Sequence, residues 1–163
     1  MKILYFGGQK SGKSTLAEAK ALSLSLSKPY YIATYDKSFD DNEMKTRVLK
    51  HQNQREEKFI TIEEPLDLVS KIAEGNTYLV DCISMWILNS IKKDEEYLIK
   101  ELEKLKNIDA NIVFVLNDVN SGVIPFEKES RKFVDLTGII GQKLASLCDE
   151  VYEVKLGLES RLK

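Results

Sequence analysis

The stretch "GGQKSGKST", residues 7 to 15, follows directly on the apolar run Ile3 to Phe6 and leads into "LAEAKALSL". It fits G-x-x-x-x-G-K-[ST] with Gly7, Gly12, Lys13 and Ser14. No other feature restricts the fold as much, because the motif works only where a strand ends and a helix begins. Gly7, Gly8, Gln9, Lys10, Ser11 and Gly12 can then curl so that successive backbone N–H groups converge on an anion, and the helix opening near Lys13 turns its positive dipole end toward it. In such a phosphate loop the Lys13 ammonium bridges β- and γ-phosphate oxygens, and the Ser14 hydroxyl ligates Mg²⁺.

The rest of the chain supplies elements that suit this start. Short, mostly continuous apolar runs predict strands at Ile3–Phe6, Tyr30–Thr34, Tyr78–Asp81, Ile112–Leu116 and Val151–Val154, as expected for a parallel sheet covered on both faces. Helical stripes run between them: Leu16, Ala19, Leu22 and Leu26 over residues 13 to 26; Leu98, Leu102, Leu105 and Ile108 over 95 to 108; Phe133, Leu136, Ile140, Leu144 and Leu147 over 127 to 148. Alternating strands and helices in 163 residues predict a single domain with the α/β, P-loop NTPase-like three-layer fold and a mostly parallel central sheet. Functional loops then belong at the carboxyl ends of the strands.

Composition narrows the partners. A net charge of -2, with lysines and arginines interspersed among acids, offers no basic field for nucleic acid. The two cysteines, Cys82 and Cys148, are too far apart in sequence for a zinc or redox pair and read as reduced thiols. The apolar start stops at Gly7 without a signal-peptide core, and no run is long enough to span a bilayer, so a cytoplasmic protein is expected.

A phosphate loop of this kind needs a carboxylate at the end of a neighbouring strand. Asp81 in "TYLVDCIS" stands where such an acid holds Mg²⁺, directly or through water, although an aspartate there also suits a helix N-cap. The reaction stays open at this point: small-molecule kinases and nucleotide-gated switches share the loop. "NDVNSG" after the fourth run lacks the N-K-x-D that reads guanine in switch GTPases, which disfavours that class.

His51, the only histidine, lies in "DDNEMKTRVLKHQNQRE". The stretch predicts a helix capped near Asp40 or Asp41, with Arg47, His51 and Arg55 along one polar face and Met44 and Val48 on a neighbouring one. A solvated surface histidine fits that place. So does a nucleophile, because flanking arginines gather phosphate and keep the imidazole neutral.

Taken together, "GGQKSGKS", "YIAT" (31 to 34), "DDNEMKTRVLKHQNQR" (40 to 55), "DCISMWILN" (81 to 89), "VLNDVNSGVIP" (115 to 125) and "RKFVDLTGIIGQKLASLCDEVYEV" (131 to 154) resemble the bifunctional adenosylcobinamide kinase / adenosylcobinamide-phosphate guanylyltransferase family of cobalamin biosynthesis. The resemblance implies phosphorylation of adenosylcobinamide by ATP or GTP, then transfer of GMP from GTP to the product through a histidine-GMP phosphoramidate on His51. It implies nucleotide contacts at Gly7 to Ser14, at Thr34, Tyr35 and Asp36, at Gln52, Asn53, Gln54 and Arg55, and at Glu63 and Asp81. Glu63, in "TIEEP", also fits as a solvated acid. Mg²⁺ on Ser14 and Asp81, a corrinoid substrate and a homotrimer complete the implied set. Lys50 stands where many relatives have a second histidine, and Lys10 where many have arginine.

Overall fold

The computed structural model describes residues 1–36 and 57–163. The helix expected over 40–55, with His51 and Gln52 to Arg55, lies outside them. The described elements run in the order β1 (Lys2–Gly7), α1 (Lys13–Leu24), β2 (Tyr30–Ala33), β3 (Ile60–Glu63), a 3₁₀ turn (Val69–Lys71), β4 (Thr77–Asp81), α2 (Ile83–Asn89), α3 (Glu95–Asn107), β5 (Asn111–Asn117), α4 (Lys128–Leu147), β6 (Glu150–Lys155) and β7 (Leu158–Arg161). The strands form one sheet in the order β3-β2-β4-β5-β1-β6-β7. Every pair is parallel except β6 with β7.

Strand alternation splits the core into two layers. Leu4, Tyr78, Val80, Ile112, Phe114 and Leu116 face one side and pack with α2, α3 and α4 through Trp86, Ile87, Leu98, Leu102, Leu105, Ile140 and Leu144. Ile3, Tyr5, Leu79, Val113, Val115 and Val154 face the other and meet Ala17 and Ala21 of α1. The continuous apolar runs of β1, β4 and β5 are thus needed, since residues of both parities are covered. Asp94 caps α3, its side chain accepting the Tyr97 N–H at 2.8 Å.

All five predicted strands are present, within a residue at each end. Two more, β3 and β7, form the sheet edges. Their burial explains why apolar patterning missed them: "ITIE" has no buried residue and "LESR" is exposed throughout. An edge strand needs partners for its backbone, not apolar side chains on two faces. Helix α2 was also not predicted, because "ISMWILN" is apolar on nearly every side and carries no clear period.

The stripe expected on α1 is corrected. Its buried face is Lys13, Ala17 and Ala21, whereas Ala19 is exposed and Leu26 lies beyond the helix in full contact with solvent. Small residues every four positions let the helix axis lie close to β5 and β4. That brings the first turn of α1, with Lys13 on its inward face, over the strand ends.

Candidate active site

The carboxyl edge of the sheet gathers most of the residues singled out in the sequence. β1 ends at Gly7, and the loop to α1 turns through Lys10 (φ 57) and Gly12 (φ 99), both left-handed. Gly7 has no room for a side chain: a Cβ there would lie 2.4 Å from the Val154 carbonyl oxygen on the paired strand β6. Because that obstacle is backbone, Gly7→Ala is expected to destabilise the fold by about 1–3 kcal/mol, read as a lower Tm and urea midpoint, and to weaken nucleotide binding.

Lys13 is 6% exposed, and its Nζ donates to the Gly8 carbonyl at 3.0 Å. Burial lowers its pKa, and the Asp81 carboxylate opposes that shift. Asp81 closes β4, two residues after Leu79, so its side chain leaves the sheet on the face that α1 covers. Tyr31, on the same face of β2, donates its hydroxyl to Asp81 Oδ2 at 2.9 Å. A cation on the helix and an anion two strands from β1 therefore face each other across the end of β5.

Thr34 is fully buried just past β2. Its hydroxyl accepts the Cys82 N–H at 3.0 Å and donates to the Cys82 carbonyl at 2.8 Å, bracketing the backbone that follows Asp81. Asn89, from the end of α2, donates to the carbonyls of Thr34 at 2.7 Å and Pro65 at 3.0 Å. Thr34 thus lies behind the site and fixes where Asp81 stands. Tyr35 and Asp36 continue from it, half-buried, along the same edge.

Glu63 shares this edge but lies farthest out. It is level with Ala33 and, through Ala33, with Asp81, yet four strand spacings of about 4.8 Å separate β3 from β1, roughly 19 Å. Glu63 and the loop cannot hold the same phosphate. Gly7 to Ser14 and Asp81 form one cluster, Thr34 to Asp36 border it, and Glu63 stands apart.

The sequence reading missed three supports. Tyr31 reads as an ordinary strand residue. The Asp118 N–H, which donates to the Gly7 carbonyl at 2.8 Å, belongs to "NDVNSG", a stretch that bears on guanine recognition and on the family resemblance but shows no tie to the loop. The turn between β6 and β7 touches the loop through backbone alone, and a backbone bond leaves no side-chain signal.

Ser14 and Asp81 are hard oxygen donors, and among the described residues no group of three or more His, Cys, Asp or Glu side chains is placed to hold a metal. Such a sparse set fits Mg²⁺, which keeps water and phosphate oxygens in its shell, and does not fit zinc. The Ser11 hydroxyl is buried in the loop with no hydrogen-bond partner among the described residues. An anion in the cradle would satisfy it.

Both cysteines are free. Burial pushes the Cys82 thiol up to about 12, with the neighbouring Asp81 charge adding to it, and burial pushes Cys148 to about 12 as well. Both are expected to resist thiol reagents at pH 8 in the native protein and to react on unfolding. Above the unfolded thiol pKa near 9 the unfolded chain loses protons that the folded chain retains, so stability falls as pH rises from about 9 toward 12. Urea midpoints across that range check it.

A phosphate loop at the end of β1, a buried lysine behind it and an aspartate ending a nearby parallel strand define a P-loop NTPase-like α/β protein. Over residues 3–162 the chain matches the family described as cobinamide kinase / cobinamide phosphate guanyltransferase, and it belongs to that family. It is 35% identical over 172 residues to the bifunctional adenosylcobalamin biosynthesis protein CobP of Pseudomonas aeruginosa, covering all of this chain and 98% of that one. It is 30% identical over 185 residues to the bifunctional adenosylcobalamin biosynthesis protein CobU of Escherichia coli, with both covered in full. Among solved structures it is similar to a KaiC-like protein of Pyrococcus horikoshii at 12% identity and a TM-score of 0.46, over 93% of this chain and 69% of that one. Family membership makes this chain a cobinamide kinase and cobinamide phosphate guanyltransferase. Among the described residues, no helix is long and apolar enough to cross a membrane.

Proposed function

We propose that this single-domain protein phosphorylates adenosylcobinamide with ATP or GTP, then moves GMP from GTP to adenosylcobinamide phosphate through a covalent intermediate on His51. The observation that carries the reading is the pairing of Lys13 with Asp81 across the end of β5, beside a loop in which Gly7 has no room for a Cβ and Gly12 takes a left-handed conformation. In the kinase step the backbone N–H groups of the loop and the Lys13 ammonium hold the β- and γ-phosphates, while the substrate hydroxyl oxygen attacks the γ-phosphorus and the nucleoside diphosphate leaves. Mg²⁺, when bound by the Ser14 hydroxyl and Asp81 directly or through water, supplies charge neutralisation to those phosphates. Tyr31 and Thr34 position Asp81 for this.

In the second step the neutral imidazole of His51 attacks the α-phosphorus of GTP, a P–N bond forms, and the bond to the β-phosphate oxygen breaks with release of pyrophosphate. A phosphate oxygen of adenosylcobinamide phosphate then attacks the same phosphorus, and the P–N electrons return to the imidazole. Splitting the displacement in two lets one site handle two acceptors in turn. Gln52, Asn53, Gln54 and Arg55 follow the nucleophile in sequence and are assigned to the nucleotide, as are Tyr35, Asp36 and Glu63. The distance of Glu63 from the loop favours a contact at the base or ribose end over one at the phosphates. The same reading makes the protein cytoplasmic and a homotrimer.

GTP labelled at the α-phosphorus, incubated with the protein and Mg²⁺, should leave one acid-labile, base-stable GMP per chain on the peptide containing His51. Unlabelled protein under conditions that support GMP transfer would sink the covalent route.

A further inference from the structure

The hairpin of β6 and β7 turns at Leu156 and Gly157, both with positive φ, 55° and 80°. That pair of left-handed residues makes the tight turn whose twist suits antiparallel strands. The turn reaches across to the phosphate loop: the Gly157 N–H donates to the Ser11 carbonyl at 2.8 Å. Its Cα lies 3.1 Å from where a Cβ on Gly12 would stand, so the two backbones meet with no side chain between them.

This bond sets the direction of one peptide. A trans peptide is planar, and its C=O and N–H point opposite ways. Drawing the Ser11 carbonyl outward to the turn therefore aims the Gly12 N–H inward, ahead of the free N–H groups of Lys13 and Ser14 that open α1. If that peptide flipped, a carbonyl oxygen would face the phosphates and repel them. Gly12, at φ 99°, has the conformational freedom for such a flip, so something outside the loop must prevent it.

We propose that Gly157 is a positioning residue for the triphosphate: from the β6–β7 turn, its N–H holds the Ser11–Gly12 peptide in the orientation that binds phosphate. The proposal rests on the reading that residues 7–14 hold a triphosphate. It gives a role to a stretch, "LGLESRLK", whose side chains are exposed throughout.

Gly157 is a clean probe because a Cβ there would meet nothing within 4 Å, so substitution acts through the backbone conformation alone. Gly75 is a matched control. It has φ 76°, equally open space, and an N–H that donates to the Asp109 carbonyl at 2.8 Å, but it precedes β4 at the opposite edge of the sheet.

The test measures the affinity of the full chain for GTP·Mg²⁺, with Tm alongside. Gly157→Val, which disfavours the left-handed turn, should weaken binding by about tenfold or more, the scale of one lost hydrogen bond to a charged group. Gly157→Asn, tolerant of that conformation, should stay within a few-fold of wild type, as should Gly75→Val. If Gly157→Val binds like wild type while Lys13→Ala does not bind, the positioning role is wrong and the phosphate-loop reading stands. An equal loss in Gly75→Val would also overturn it, exposing general destabilisation. A wild-type chain that fails to bind GTP·Mg²⁺ overturns the loop reading itself, and this proposal with it. Should Gly157→Val not fold, the wild type still decides. Coupling is reciprocal, so saturating GTP·Mg²⁺ should slow hydrogen exchange at the Gly157 amide, and unchanged exchange overturns the proposal.

Discussion

Lys13→Ala should lower kcat/KM for both phosphate and GMP transfer by about 10²–10³-fold, the usual scale for removing one preorganised charge-stabilising group. It is expected to leave Tm unchanged or slightly raised. The reason is the state of Lys13 without nucleotide: a nearly buried ammonium whose pKa is lowered by desolvation, resting on the Gly8 carbonyl with Asp81 as its main electrostatic relief. A triphosphate restores the favourable field, so binding energy is concentrated on this residue. Above the lowered pKa, binding must recapture a proton, and triphosphate affinity should weaken with rising pH at a lower pH than for an ordinary lysine. Titrations of wild-type nucleotide affinity against pH check this. Unchanged activity in Lys13→Ala would remove the loop from the mechanism.

His51→Ala should separate the two activities. GMP transfer is expected to fall by roughly 10⁴–10⁶-fold, as when a covalent nucleophile is deleted, while phosphorylation of the corrinoid hydroxyl stays within a few-fold of wild type. The half-reaction gives the sharper reading. Wild type should exchange labelled pyrophosphate into GTP with no corrinoid present, because P–N bond formation is reversible, and His51→Ala should not. Exchange and transfer that both survive in His51→Ala would mean direct attack by the corrinoid phosphate on GTP, and would return His51 to the solvated-residue reading.

The central strands were legible because the middle residues of β1, β4 and β5 are covered on two faces and form continuous apolar runs. α3 and α4 were legible because each buries one stripe against a sheet. The rest failed for different physical reasons. β3 and β7 are held by backbone hydrogen bonds at the edges, with only Ile62 of β3 half-buried against the core and β7 exposed throughout, so no continuous apolar run marks them. In α1 the apolar spacing points to Leu16, Ala19, Leu22 and Leu26, but close approach to the sheet selects Ala17 and Ala21 and puts Lys13 in line with them.

The candidate site divides in the same way. The loop could be read from spacing because its glycines, lysine and serine are each required by the phosphate chemistry they serve. Asp81 could be read from its place at a strand end. That Lys13 and Asp81 face one another across β5, with Glu63 at the far edge, depends on the strand order, which no local pattern encodes. The hold of Tyr31 on Asp81 and of Thr34 on the Cys82 backbone depends on neighbours 48 to 50 residues away.

Local chemistry in the chain is thus enough to specify an anion cradle, a nucleophile candidate and a two-sided sheet, since each rests on residue type and short-range spacing. The partnership of cradle, cation and carboxylate, and the backbone bond from Gly157 that aims Gly12, arise only when the sheet forms in its β3-β2-β4-β5-β1-β6-β7 order and brings Lys13 to Asp81, 68 residues on, and Ser11 to Gly157, 146 residues on.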